Sequence, residues 1–192
     1  MRSGVLTYLD RLRELALDQH GYVTASQALA DGVPRTELSK MVARGRLDRV
    51  AHGVYQVPQV PGNRFAEYML AVLWTGTPGA CLSHETALQA WEISDINPDR
   101  IHVAVPKGRR IDRAGGEGYV VHHCDLESKQ VTWWEQIPIT DVPTTVGQCI
   151  DWGVPTYLVK QSLERATRTG LLLGDERAEL ADQLERRDYG QP

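Results

Sequence analysis

The sequence predicts an α+β protein that is built from two domains. Its 192 residues are 42% hydrophobic and 24% charged, a balance that supports one or two small globular domains. Amphipathic helix patterns and short strand patterns follow one another along the whole chain. The segment Val57-Pro-Gln-Val-Pro-Gly-Asn63 has two prolines and no charge, as is typical of an extended linker. We therefore expect one domain over residues 1–58, a linker over 59–63 and a second domain over 64–192.

The charge of the chain is unevenly distributed. The formal net charge is -4, yet residues 1–57 carry eight Lys and Arg against six acidic residues. The excess is concentrated between Arg35 and Gly53, where five cations face only Glu37 and Asp48. This split predicts an anion-binding module attached to a neutral or acidic second domain.

The first domain begins with patterns for two helices. Val5, Leu9, Leu12 and Ala16 form one apolar stripe of a helix that ends before Gly21. The run Thr24-Ala-Ser-Gln27 fits a capping box, in which two side chains satisfy each other's free backbone amides at a helix start. We expect this second helix to continue to about Ala30.

A third helix is predicted from Pro34, as its first residue, to a stop at Gly45. Leu38, Met41 and Val42 should face inward, which leaves small, hydroxylated and cationic side chains on the opposite face. Such side chains can approach base edges and phosphates closely. Lys40, Arg44, Arg46 and Arg49 are the candidates for phosphate contacts and Thr36 and Ser39 for base edges. The full set of DNA-binding candidates is Arg35, Thr36, Ser39, Lys40, Arg44, Arg46, Arg49 and His52.

Two short strands should follow, from Arg46 to Ala51 and from Val54 to Val57, joined by a turn at His52 and Gly53. A helix-turn-helix followed by such a hairpin is a winged helix-turn-helix domain. The same three helices and hairpin also occur in protein-docking modules, in which a basic helix face is only a solvated surface. Composition and spacing favour DNA binding over docking, and both alternatives stay open.

Three ordered segments resemble the amino-terminal domain of AbiEi-type antitoxins. They are Gly21-Tyr-Val-Thr-Ala-Ser-Gln-Ala28, Gly32-Val-Pro-Arg-Thr-Glu-Leu38 and Arg44-Gly-Arg-Leu-Asp-Arg-Val-Ala-His-Gly-Val-Tyr-Gln-Val-Pro58. The resemblance implies a winged helix that represses its own operon and an antitoxin domain that neutralises a nucleotidyltransferase-like toxin. The implied partners are double-stranded DNA of its own promoter region and the cognate toxin. Whether the toxin is opposed by direct complex, by modification or indirectly stays open.

The second domain is predicted to be mixed α/β. Its segments Ser83-His-Glu-Thr-Ala-Leu88 and Pro143-Thr-Thr-Val146 are similar to segments of the same family, although Thr144 and Gln148 replace an arginine and an aspartate. The predicted elements are a buried helix Phe65–Trp74, strands 101–105, 119–124 and 135–142, and helices 155–170 and 175–187. We interpret the pair Ser83 and His84 as a helix cap.

A second basic patch consists of Lys107, Arg109, Arg110 and Arg113. It could extend the DNA footprint, bind an acidic patch on the toxin or be a solvated loop. The solvated loop is favoured by a small margin, because most such runs have no partner.

Signals for catalysis are weak. Asp125, Glu127 and Lys129 match the Glu-x-Lys pattern of metal-dependent nucleases, but the pattern is short and common. His122 and Cys124 could share one ion at most. The alternative function is a winged-helix protein whose second domain is a metal-dependent nuclease or a docking module. We expect no catalytic residue, no metal and no cofactor, and we expect a cytoplasmic location without membrane contact.

Overall fold

The computed structural model describes residues 6–190 and has the predicted α+β fold. The chain divides into two compact units. Unit 1 holds the chain up to Pro78 together with residues 110–116 and 135–137. Unit 2 holds residues 79–109 and 117–134 and the chain from Pro138 onward.

Unit 1 begins with helix α1, Tyr8–Leu17. Thr7 caps it through an unpredicted capping box, in which the Asp10 amide donates to Thr7 Oγ1 over 3.2 Å. Leu12 and Ala16 are fully buried, as predicted, whereas the predicted contribution of Val5 lies outside the described residues. The apolar stripe thus anchors α1 to the core of unit 1.

Strand β1, Tyr22–Thr24, leads directly into helix α2, Ala25–Ala30. The predicted capping box is confirmed, because the Thr24 amide donates to Gln27 Oε1 over 2.9 Å and the Gln27 amide donates to Thr24 Oγ1 over 3.2 Å. Helix α3 is Arg35–Ala43, so Pro34 is its N-cap and not its first residue as predicted. The ψ angle of Pro34, 149°, lies outside the helical range, and the helix therefore starts one residue later.

The predicted hairpin is confirmed as strands β2, Asp48–Ala51, and β3, Val54–Gln56. It turns at His52 and Gly53, where Gly53 has a φ of 70° that suits glycine. Strand β1 pairs antiparallel with β3 and completes a sheet of order β1-β3-β2. Three helices and this hairpin have the arrangement of a winged helix-turn-helix, with β2 and β3 as the wing.

Helix α4, Ala66–Trp74, also belongs to unit 1. The segment before it is packed, since Val60 is buried and the Val57 amide donates to Gly21 O over 2.8 Å. The compact unit therefore extends past the expected boundary at residues 59–63. Whether residues 1–58 form a separable domain remains a prediction.

The second sheet contains the strands β4 Cys81–Leu82, β5 Ile101–Val105, β6 Tyr119–His123, β7 Val131–Trp134 and β8 Ile137–Thr140. Their order in the sheet is β6-β5-β4-β8-β7. Strands β5 and β6 run parallel and lie close to the predicted positions. The predicted strand 135–142 is instead a turn at Glu135 and Gln136 followed by the shorter β8, because both turn residues have positive φ.

The described part of unit 2 also contains a short 3-10 helix, Ser128–Gln130, and four α-helices: α5 His84–Ala90, α6 Val142–Trp152, α7 Thr156–Arg168 and α8 Gly174–Tyr189. Their core includes Leu88, Val146, Ile150, Val159 and Leu184. Val159, Leu163 and Ala166 of α7 and Leu180 and Leu184 of α8 are buried in this core, and Ala181 is partly buried against it. Within residues 6–190, every helix is too short or too polar to cross a membrane.

Candidate nucleic-acid interface

Helix α3 presents two different faces. Leu38 is fully buried, and Met41 and Val42 are half-buried against the core of unit 1, as predicted. The opposite face is exposed and carries Arg35, Thr36, Ser39 and Lys40. The apolar contacts therefore hold α3 with its hydroxyl and cationic side chains toward solvent.

Two of these exposed side chains have partners on α3 itself. Ser39 Oγ donates to Arg35 O over 3.2 Å, and Lys40 Nζ pairs with Glu37 Oε1 at 2.6 Å. A surface ion pair of this kind contributes only about 0 to 1 kcal/mol. Lys40 can therefore exchange its carboxylate partner for a phosphate at little cost.

Gly45 turns the chain from α3 into the wing. Its φ is 65°, and the following Arg46 amide donates back to Met41 O over 2.9 Å, which closes the helix. Arg44 and Arg46 flank this turn, Arg49 lies on β2 and His52 lies at the wing tip, and all four are exposed. All eight DNA-binding candidates are thus exposed on unit 1, and their contact with DNA remains a prediction.

The structure divides the second basic patch between the two units. Lys107 and Arg109 belong to unit 2, whereas Arg110 and Arg113 belong to unit 1. There, residues 110–116 form a loop beside the wing, and the two enclose a groove of about 690 Å³. Its lining includes Arg49, Val50, Ala51, His52, Arg110, Asp112 and Arg113. No local pattern predicts this proximity, because about 60 residues separate the two segments.

Arg113 connects the loop to the rest of unit 1. Its Nη1 donates to His52 O over 2.9 Å and to Trp74 O over 3.0 Å. Trp74 Nε1 in turn donates to Ala114 O over 2.9 Å. These bonds join the wing tip, the end of α4 and the loop, so Arg113 holds this region together.

Two glycines permit this close packing. A Cβ added at Gly76 would overlap the guanidinium of Arg113, and one added at Gly116 would overlap the indole ring of Trp74. Only a residue without a side chain leaves room for the Arg113 and Trp74 contacts at these positions. The loop is therefore held by close packing as well as by hydrogen bonds.

Unit 2 contains a three-histidine cluster of His84, His102 and His122. The rings of His84 and His122 stack with centroids 3.5 Å apart, and His102 Nδ1 lies 3.0 Å from His122 Nε2. The indole of Trp152 meets His122 edge-on, at 4.6 Å between centroids. Ser83 is the N-cap of α5, as predicted, but its side chain makes no capping bond and its Oγ lies 3.0 Å from His84 Nδ1.

Burial keeps the three imidazoles neutral. It lowers the pKa of His84 to about 3, aided by His122 and His102. It lowers the pKa of His102 to about 4, aided by Arg100, and the pKa of His122 to about 4, aided by His102 and His123. No sequence pattern predicts this cluster, since only the parallel pairing of β5 with β6 places residues 102 and 122 on one face.

The residues considered for nuclease chemistry are exposed in the segment that follows β6. Glu127 and Lys129 pair with each other at 3.0 Å, and their side chains are 70% and 80% exposed. Asp125 accepts a hydrogen bond from the Lys107 amide over 3.1 Å. Within residues 6–190, no group of three or more His, Cys, Asp or Glu side chains is arranged to hold a metal ion.

Comparison with known proteins supports the resemblance of the amino-terminal segments. Residues 10–58 match the family described as "Transcriptional regulator, AbiEi antitoxin", which confirms it over that range. A crystal structure titled RV2827C protein, from Mycobacterium tuberculosis, is similar with a TM-score of 0.52 and 18% identity. The similarity covers 98% of this chain and 73% of that one, and it concerns the fold. No curated protein matches the chain significantly.

Proposed function

We propose that this chain, whose residues 10–58 match the AbiEi antitoxin family of transcriptional regulators, represses its own operon by binding promoter DNA. We further propose that unit 2 opposes a nucleotidyltransferase-like toxin, directly or functionally. The family match supports a regulator with antitoxin character. Repression of its own operon, the kind of toxin and the neutralisation of that toxin are what we propose beyond the family match.

The observation that carries the DNA-binding proposal is the exposure of all eight candidate side chains within the matched segment. Lys40, Arg44, Arg46 and Arg49 would contact phosphates, and Thr36 and Ser39 would contact base edges. Arg35 and His52 lie at the two ends of this set. An α-helix fits the major groove of B-DNA, and short side chains on its outer face allow close approach to the bases.

A mobility shift with DNA from upstream of its own gene tests this proposal. Lys40→Ala combined with Arg44→Ala removes two phosphate contacts and should lower the slope of log affinity against log salt by about two. Arg168→Ala with Arg177→Ala removes two exposed cations of unit 2 and is the matched control. Equal losses in both double variants would show that α3 is not the recognition helix.

The antitoxin role is tested by growth rescue. The full chain is expressed with the product of the neighbouring gene in cells that this product arrests. The wild type should restore growth, and so should the Lys40→Ala, Arg44→Ala variant, because the proposal assigns neutralisation to unit 2. Arrest despite wild-type expression would overturn the antitoxin role while leaving DNA binding untouched.

A further inference from the structure

We infer that the loop 110–116 acts as a second wing, and that the groove between it and β2 binds a phosphate of the DNA backbone through Arg49 and Arg110. This inference rests on the proposed DNA binding by α3 and the wing. It adds a contact from a chain segment that lies outside the residues matched to the family.

The charge of the groove suits an anion. Three arginines, Arg49, Arg110 and Arg113, line it together with His52, and Asp112 is the one acidic residue in its lining. Arg49 and Arg110 are exposed and come from opposite sides, the first from β2 and the second from the loop. Two guanidinium groups on opposite walls can bind one phosphate from both sides.

The groove is continuous with the proposed DNA-binding surface. Strand β2 is an edge strand of its sheet, and it carries Arg49 only three residues after Arg46. A duplex held by α3 brings its backbone to the wing, as in other winged helices. The volume of about 690 Å³ leaves room for a backbone segment instead of a single small ion.

The loop is also fixed before any ligand arrives. Arg113 binds the backbone of both His52 and Trp74, and Trp74 binds Ala114, so the two walls are connected by hydrogen bonds. A preformed site avoids the entropic cost of ordering a mobile loop on binding. Arg113 is accordingly a positioning residue, whereas Arg110 is free to contact the ligand.

The test compares Arg110→Gln with Arg168→Gln, a control that removes an exposed cation from α7. Affinity for the upstream DNA is measured with the full chain at about 50 and about 200 mM salt. Loss of one phosphate contact removes about one unit of the salt slope, so the advantage of wild type over Arg110→Gln should shrink about 3.5-fold across that range. Arg168→Gln should keep the wild-type slope.

A second variant is expected to increase the affinity for DNA. Asp112 is exposed, and Asp112→Asn removes the carboxylate that repels phosphate, so this variant should bind the DNA more tightly than wild type. Thermal unfolding of each variant controls for loss of folding. Binding of a single-stranded RNA of equal length is measured separately for each variant.

The outcomes separate this inference from the proposed function. If the wild type binds no DNA, the proposed function and this inference both fail. If Lys40→Ala with Arg44→Ala weakens binding but Arg110→Gln and Asp112→Asn change neither affinity nor slope, only the second wing is overturned. Loss of RNA binding without loss of duplex binding in Arg110→Gln would also overturn it.

Discussion

The basic residues of α3 and the wing in unit 1 and the three-histidine cluster of unit 2 lie in opposite environments. In unit 1 the arginines of α3 and the wing, together with His52, are exposed to solvent. In unit 2 the imidazoles of His84, His102 and His122 are packed on one another, and burial lowers the pKa of each. Basic side chains are thus exposed to solvent in unit 1, whereas the three imidazoles of unit 2 form a neutral packed cluster.

Their grooves differ in the same way. A groove of about 720 Å³ in unit 2 is lined by Asp151, Glu176, Glu179 and Asp182, with Arg186 as its one arginine. This lining repels a polyanion, whereas the groove of unit 1 attracts one. Net charge therefore conceals the local distribution of charge here, because an acidic chain carries a basic surface in one unit.

The largest expected effect concerns the packing that supports α3 in unit 1. Leu38→Ala removes a fully buried side chain from the inner face of α3 and should lower the free energy of unfolding by about 2 to 5 kcal/mol. DNA affinity should fall with it, because α3 then loses its support. Denaturant unfolding and a mobility shift measure both effects. Leu29→Ala, at a position 53% exposed, should leave both nearly unchanged.

The second prediction concerns the three-histidine cluster. The folded-state pKa of each histidine lies below its ordinary value of about 6.5, so the unfolded chain binds protons that the folded chain does not. Stability should therefore be fully present above about pH 6.5 and should fall as the pH drops toward about 4. The loss between about pH 7.5 and about pH 6 should be on the order of 2 kcal/mol for the three histidines together, measured by denaturant unfolding.

A double variant isolates the source of that loss. His102→Gln with His122→Gln removes two of the titrating groups and should flatten the fall in unfolding free energy, whatever its effect at neutral pH. Glu85 lies 4.0 Å from His102, and burial raises its pKa, so Glu85→Gln serves as the control for carboxyl titration. An unchanged slope in the histidine variant would show that the cluster does not control acid stability.

A smaller effect is expected at the helix cap of α2. Thr24→Ala removes the hydroxyl that accepts from the Gln27 amide and should cost about 1 kcal/mol of unfolding free energy. Thr36→Ala removes an exposed hydroxyl within α3 and should change stability much less. Thermal unfolding compares the two threonine variants, and equal losses would contradict the capping role.

The smallest expected effect on stability tests the charge of α3. Glu37→Gln removes the partner of Lys40 and should change unfolding free energy by less than about 1 kcal/mol. It should nevertheless tighten DNA binding, because the helix face loses its one carboxylate near Lys40. The affinity of Glu37→Gln and wild type for the upstream DNA, measured across salt concentrations, tests this expectation. Weaker binding in Glu37→Gln would mean that Glu37 positions Lys40 for its contact.

Local patterns were sufficient to predict most of unit 1. The capping box at Thr24, the turn at Gly53 and the inward face of α3 depend on neighbours within a few residues, and each is confirmed. The strand Tyr22–Thr24 was missed because three residues carry too little periodicity. The start of the third helix was misplaced by one residue, since proline suits the N-cap as well as the first turn.

Sequence alone determined the α+β class, the winged-helix pattern and the basic segment from Arg35 to Gly53, because periodicity and charge are properties of neighbouring residues. Tertiary structure alone decided which distant residues meet. Parallel pairing of β5 and β6 placed His102 beside His122, and the Arg113 bonds to His52 and Trp74 placed Arg110 across a groove from Arg49. Contacts over 20 to 60 residues depend on strand pairing and packing, which no local pattern encodes.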